Sequence, residues 1–322
     1  MTHDGMTHLS AIHLLLTYRC TYSCDHCFLW GDPEQQGTMT LAQVTGVIDQ
    51  AVALGSVEFV YFEGGEPTMY FPVMLAAARY ARQKGLDFGV VTNCHWAESV
   101  DDARLWLQPL KELGIADFSL SSYAYFTDTH EKEELLRNAI VAAQQLDVPM
   151  AVLEVGAPAD LADLGVACGD PAAIMYKGRA AVELAPDKAA RRAQTLTSCP
   201  YEELADPERC HVGADGELQV CQGVSAGNVF TTPGGLAAVV AAYGPRTMPV
   251  VGDLLRGGPW ELARANGVKP ARELYADECH LCFETRLALR ARYPRVLAPD
   301  QAYGVVGAKP PAHPSTSNTP GE

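Results

Sequence analysis

The chain is short of positive charge. Lys and Arg number 24 against 39 Asp and Glu, a formal net charge of -15 over 322 residues. A nucleic-acid backbone or an anionic membrane needs a cationic face, so neither is expected as the main partner. No stretch approaches the ~20 apolar residues of a membrane span, and the early run at 12–16 is interrupted by His13. The first ten residues hold no basic segment leading into an apolar one, so no secretory signal is expected and the chain reads as cytoplasmic. Disulfides are rare in that compartment, yet there are ten cysteines, and clustered cysteines there read first as metal ligands. With 48% hydrophobic residues the chain can bury a core, which excludes general disorder.

Strand-like and helix-like patterns alternate from residue 12 to about 180. Strands are expected at 12–17, 57–62, 87–92, 117–121, 149–154 and 172–176. Helices are expected at 40–54, with Thr40 as N-cap and Gly55 as stop, and at 72–84, 98–113 and 131–146. This rhythm predicts a parallel sheet with sites at the strands' C-terminal ends, and six units suit a partial rather than a closed barrel. After Leu184 the rhythm changes. His211 to Val220 reads as a hairpin turning at Asp215-Gly216, and 284–293 reads as a helix. From Lys309 onward Pro, Ser, Thr and Gly dominate, and a disordered tail is expected. The expected organisation is a core over 1–184, a smaller region over 185–308 and the tail 309–322.

The first expected strand runs into Cys20-Thr21-Tyr22-Ser23-Cys24-Asp25-His26-Cys27. Three thiolates in one loop can close on one metal centre and leave a coordination position free. Zinc would call for a fourth close ligand, and His26 beside Cys27 is badly placed for it. This CxxxCxxC after a first strand resembles the signature of the radical S-adenosylmethionine (radical SAM) superfamily. The turn Glu63-Gly64-Gly65-Glu66-Pro67 after the second strand is similar to that family's GGEP turn. The resemblance implies a [4Fe-4S] cluster on Cys20, Cys24 and Cys27, its open iron chelated by SAM. Gly64, Gly65, Glu66 and Pro67 would then face the methionyl ammonium. Thr92-Asn93-Cys94 resembles the family's Thr-Asn-Gly, placing Asn93 at the cofactor. Ser119 and Ser121 stand where the family contacts the ribose, His26 near the adenine, and Gly178-Arg179-Ala180 resembles a turn whose Arg179 faces the SAM carboxylate.

Downstream lie Cys199, Cys210, Cys221, Cys279 and Cys282, with Gly216 before Cys221 and a CxxC at 279–282. The arrangement resembles the SPASM/twitch extensions of that superfamily, which implies one auxiliary [4Fe-4S] cluster in a small hairpin/helix region. Cys199, Cys221, Cys279 and Cys282 are the expected ligands, with Cys210 the spare or a substitute ligand; a zinc ribbon is the alternative. Cys168 reads as a small buried hydrophobe. Cys94 stands at a strand end where it could take an active-site role. His95, Tyr123, Tyr125, Asp128 and Glu154 lie at expected strand ends and remain unranked.

The resemblance implies reductive SAM cleavage, with a flavodoxin or ferredoxin as reductant. A 5'-deoxyadenosyl radical would take hydrogen from a peptide side chain or a small polar metabolite, and an auxiliary cluster would make the result a net oxidation. The chain starts almost at its first strand, which is expected to leave no room for an N-terminal peptide-recruiting domain. Two alternatives stand: a redox-neutral epimerase with Cys210 or Cys94 as hydrogen donor, and a non-catalytic iron–sulfur or zinc protein that carries electrons.

Overall fold

The computed structural model describes residues 5–122, 125, 129–156, 161–166 and 171–305. Tyr123, Asp128, Cys168 and the expected tail lie outside these residues. In chain order the elements are β1 (Ala11–Thr17), α1 (Leu41–Leu54), β2 (Phe59–Gly64), α2 (Phe71–Gln83), β3 (Asp87–Thr92), α3 (Val100–Glu112), β4 (Asp117–Ser121), α4 (Thr129–Gln145) and β5 (Met150–Leu153). There follow α5 (Ala180–Glu183), β6 (Arg191–Arg192), β7 (Arg209–Val212), β8 (Glu217–Cys221), β9 (Val224–Asn228), α6 (Gly235–Ala242), α7 (Val251–Ala265), β10 (Leu274–Tyr275) and α8 (Glu278–Leu289). The helix boundaries have local causes. Thr40 caps α1 by accepting from the Gln43 amide, while the Gln43 carboxamide accepts from the Thr40 amide, and Gly55 ends the helix at φ 81°.

One sheet runs in the order β5-β4-β3-β2-β1-β7-β8-β9, the first five strands parallel and each of β1 to β4 followed by a helix. The fold is mixed α/β, a partial barrel with no closure. Two departures from the expected layout matter for the site. The expected strand at 172–176 makes only an isolated parallel bridge, Val155 with Ala172. Its remaining residues are held by other bonds: the Tyr176 amide donates to Asp277 Oδ2 (3.3 Å) and the Lys177 amide to Met175 O (2.7 Å). The sixth parallel strand is instead β7, paired with β1 in register Ile12 to Cys210 and His13 to His211. The expected hairpin, β7 with β8, therefore extends the main sheet rather than standing apart from it. Residues alternate along each strand, so Ile12, Leu14 and Cys210 face the core while His13 and His211 face inward over the sheet.

Candidate functional site

The inner face and C-terminal ends of the sheet open on a cavity of about 450 Å³. Cys20, Cys24 and Cys27 all line it. Their loop is fixed by backbone bonds, Cys20 N to Asp32 O (3.1 Å) and Cys27 N to Cys24 O (3.1 Å), and by the Gly31 amide donating to Cys27 Sγ (3.1 Å). Burial, with Glu66 nearby, pushes the Cys20 thiol up to about 12, and burial with Cys27 and Cys20 raises Cys24 as well. Cys20 and Cys24, raised in this way, become thiolates only around a cationic centre, and Cys27 lines the same cavity, so the three-sulfur set suits one.

Arg179 is placed otherwise than expected. Its guanidinium donates from Nη1 to Cys24 O (2.7 Å) and from Nη2 to Gly31 O (2.9 Å), and its own amide donates to Cys27 O (2.9 Å). It does not line the cavity; it clamps the cysteine loop from behind. Gly178 makes this clamp possible, since at φ 61° any Cβ there would meet the Phe28 backbone at 2.5 Å.

The turn after β2 also differs from its expected role. A Cβ on Gly64 or Gly65 would collide with the Thr17 or Arg19 carbonyl, so these glycines serve the packing of β2's end against β1's. Glu66 is fully buried, and its Oε1 accepts from Thr68 N (3.1 Å), Thr68 Oγ1 (2.6 Å) and Thr92 Oγ1 (2.9 Å). Oε2 accepts from Asn93 N (2.8 Å). This carboxylate ties the ends of β2 and β3 together, although Gly64, Gly65 and Glu66 all touch the cavity. Pro67 does not, and opens a short 3-10 turn over Pro67–Tyr70. Asn93 extends the knot, its Nδ2 donating to Thr21 Oγ1 (3.0 Å) and lying 3.5 Å from Cys20 Sγ.

Ser119, Ser121 and His26 line the cavity, and His26 Nδ1 is buried without a hydrogen-bond partner. Burial holds the His26 imidazole below its ordinary value, so it offers a neutral ring to whatever fills the space. Cys94 does not reach the cavity. It is fully buried in the hydrophobic core, and its φ of 63° explains why a glycine suits this place. Tyr125 also lines the cavity, 5.3 Å from the His26 ring.

The second cysteine set converges elsewhere. Cys199, Cys221, Cys279 and Cys282 line one small cavity with Lys177, Glu202 and Arg286. The CxxC lies on α8, N-capped by Asp277, whose carboxylate accepts from the His280 amide (2.8 Å). Cys210 is not with them: it is fully buried on the core side of β7, 3.9 Å from Met6 Sδ. Strand alternation explains this, for His211 and not Cys210 turns inward. Lys177 Nζ lies 3.1 Å from Glu202 Oε1 and 3.7 Å from Cys221 Sγ. Burial alone would lower Lys177, but Cys221 and Glu202 hold its ammonium above the ordinary value. Arg286 is also fully buried; it donates to Gln222 O (2.8 Å), its Nε has no partner, its guanidinium lies 5.7 Å from the centre of the Tyr303 ring, and it lines the same cavity as Cys221, Cys279 and Cys282. Two buried cations face four thiols.

Tetrahedral zinc with bonds of about 2.3 Å needs its sulfurs roughly 3.8 Å apart. Among the described residues, the set of ligating atoms that lies within 4.8 Å of one another is His13, Glu63 and His211, so neither cysteine set is that tight.

That His–Glu–His strip, with Tyr61 and Gln222, was not legible as a site in the sequence. His13 Nδ1 is hydrogen-bonded to Glu63 Oε1, and His211 Nε2 lies 3.9 Å from Glu63 Oε2. Burial pushes His211 down to about 4 against the pull of Glu63. Tyr61 stacks on His13 (4.5 Å between ring centres) and donates to Asp117 Oδ2 (3.1 Å), crossing Gly89, where a Cβ would strike its ring. The available signal was a histidine at an inward position of an otherwise apolar β1.

Residues 14–145 match the family described as the Radical SAM superfamily. The chain carries a radical SAM domain. A SAM-dependent nucleotide dehydratase of Selenomonas ruminantium is 32% identical over 82 residues, covering 26% of this chain and 29% of that protein. An Fe-coproporphyrin III synthase of Methanosarcina barkeri (strain Fusaro / DSM 804) is 31% identical over 129 residues, 40% of this chain and 30% of that one. The chain thus spans under a third of the length of these curated relatives. Among solved structures, BtrN with AdoMet and 2-DOIA is 16% identical with a TM-score of 0.45, over 68% of this chain and 78% of that one. Native anSMEcpe with bound AdoMet is 13% identical with a TM-score of 0.47, over 89% and 97%. Radical SAM proteins are enzymes that use SAM and a [4Fe-4S] cluster, and the radical SAM domain here contains Cys20, Cys24 and Cys27. No helix among the described residues is long and apolar enough to cross a membrane.

Proposed function

We propose that the protein is a radical SAM oxidoreductase with two iron–sulfur sites, Cys20/Cys24/Cys27 for the SAM cluster and Cys199/Cys221/Cys279/Cys282 for an auxiliary [4Fe-4S] cluster. When bound, these cofactors supply radical hydrogen abstraction and an electron acceptor, so that a substrate is oxidised by two electrons. The chain's own residues do the rest. Arg179, Gly178 and Asn93 hold the first cysteine loop rigid, Glu66 fixes the cavity wall beside it, and His26 lines the cofactor space. Lys177 and Arg286 offset the negative charge that four thiolates would gather in a buried place.

The observation that carries the reading is the convergence of four cysteines and the fully buried Arg286 on one small cavity. A buried guanidinium needs an anion, and four cluster-bound thiolates provide one. The epimerase alternative needs a thiol beside the substrate, and both thiols considered for it, Cys94 and Cys210, are buried away from the cavity. The electron-carrier alternative leaves a cavity of about 450 Å³ beside the first cysteines without a purpose. The cavity's polar inner wall, with His13, Glu63, Arg209 and His211, favours a small polar metabolite over an apolar one, and flavodoxin or ferredoxin would supply the electron. Anaerobic reconstitution tests the reading. About eight irons per chain, from two cubanes, and 5'-deoxyadenosine on reduction with SAM are expected. Saturation at one cubane with zinc in the second site would sink the auxiliary cluster.

A further inference from the structure

We propose that His13, Glu63, His211 and the side-chain oxygen of Gln222 form a binding site for one divalent first-row transition ion of the zinc type, separate from both cysteine sets. The trio is assembled by the sheet itself. β2, β1 and β7 are neighbours, Glu63 stands one inward position beyond Tyr61, and His13 is in register with both Tyr61 and His211. The ligating atoms of His13, Glu63 and His211 lie within 4.8 Å of one another, close enough for small side-chain rotations to bring them onto one ion.

A second, independent observation points the same way. Gln222 is 6% exposed, lines the same cavity, and its Oε1 is buried with no hydrogen-bond partner. Its Nε2 lies 3.4 Å from His211 Nε2. Turning the carboxamide by half a revolution exchanges nitrogen for oxygen and directs the orphaned acceptor at the trio. Turned this way, the oxygen lies about 3.4 Å from His211 Nε2, where it can accept from an Nε2–H or, with that nitrogen deprotonated, join the two imidazoles and the carboxylate on one ion. Two imidazoles, one carboxylate and one amide oxygen form a set that favours zinc, cobalt or iron(II) over magnesium or calcium. The stacking of Tyr61 on His13, with Tyr61 itself anchored on Asp117, fixes one imidazole as outer partners do in metal sites. All four residues line the cavity, so an ion here has a side open to a substrate oxygen.

The test is a zinc titration of the iron-loaded protein, followed by calorimetry, with iron content measured on every variant. Because spare thiols also take zinc, the reading is a difference. Wild type is expected to bind one more equivalent than Glu63→Gln or His211→Gln, or to bind it at least tenfold more tightly. Gln222→Glu, which adds a second carboxylate, is expected to tighten binding, and it keeps the test decisive should either other variant fold poorly. Equal stoichiometry and affinity in wild type, His211→Gln and Gln222→Glu overturn the proposal, as does a wild type that takes up no zinc beyond its thiols. This outcome is independent of whether the cysteines hold cubanes, since iron content reports that separately.

Discussion

Replacing Glu66 by alanine separates a structural carboxylate from a cofactor ligand. The side chain is fully buried and accepts four hydrogen bonds, two from the backbone amides of Thr68 and Asn93 and two from the hydroxyls of Thr68 and Thr92. The hydroxyls can rotate to other acceptors, but the two amides cannot. Each buried donor left without a partner costs about 1–3 kcal/mol, giving roughly 2–6 kcal/mol for the pair. Relief of the cost of burying the carboxylate removes part of this, so about 3–4 kcal/mol is expected for Glu66→Ala. For a chain of 322 residues that is roughly 4–6 °C in melting temperature. Glu66→Gln keeps the shape but sets an NH₂ group against donors, and about 1–3 kcal/mol is expected. Thermal or urea unfolding of the cluster-free protein measures both. If Glu66→Ala unfolds at the wild-type midpoint while SAM binding by the loaded enzyme collapses, the reasoning is refuted and Glu66 is a ligand first.

Three further outcomes follow from the same geometry. Arg179→Met removes charge-assisted bonds to Cys24 O and Gly31 O, and reconstituted iron at the first site is expected to fall while iron at the second site is kept; equal retention at both would count against the clamp. Cys210→Ala is expected to leave iron content unchanged and to cost about 1 kcal/mol through a small core cavity, whereas loss of the second cluster would restore Cys210 as a ligand. Asp215 is buried, and burial followed by the charge of Glu217 raises its pKa from 3.8 to about 6. A raised folded pKa means a stabilising contribution that is full below about 4 and lost as pH rises through about 6. Asp215→Asn keeps an acceptor for Tyr18 Oη and the Glu217 amide, so it is expected to gain on wild type by about 2–3 kcal/mol at pH 7 and by almost nothing at pH 4. A gain independent of pH would refute the assignment.

What was legible in the sequence was local. The apolar runs and caps locate β1 to β5 and α1 to α4 within a few residues, because Thr40, Gly55, Gly85 and Gly114 act on their own neighbours. The cysteine loop after β1 was legible for the same reason. The pairing of β7 with β1 was not, since it joins segments nearly two hundred positions apart and Arg209–Val212 is as good a free hairpin strand as a sheet member. Nothing in the local pattern distinguishes Arg286 from a surface arginine on an amphipathic helix; its burial comes from what the rest of the fold sets around it. For Glu66 the sequence shows only a carboxylate beside an expected ligand-facing turn; its engagement by Thr92 and Asn93 joins positions 26 and 27 residues away and comes from the fold.

One short segment, Lys177 to Arg179, touches both cysteine sets, and this limits how independently they can vary. Lys177 turns its ammonium toward Cys221 and Glu202, with the Phe28 ring 5.6 Å away, while the next two residues grip the first cysteine loop through Gly178 against Phe28 and Arg179 on Cys24 and Gly31. Glu202 lines both cavities. A backbone displacement at Gly178 is therefore felt one residue away at Lys177, whereas loss of the Arg179 side-chain bonds alone leaves that backbone in place. A substitution at Gly178, where every other residue must push the Phe28 backbone away, should disturb the second set as well as the first, in the order of their distance from the clash. Separate loss of iron from the first site alone in Gly178→Val would show that the segment yields at Lys177, and that the ion pair with Glu202 is softer than its burial implies.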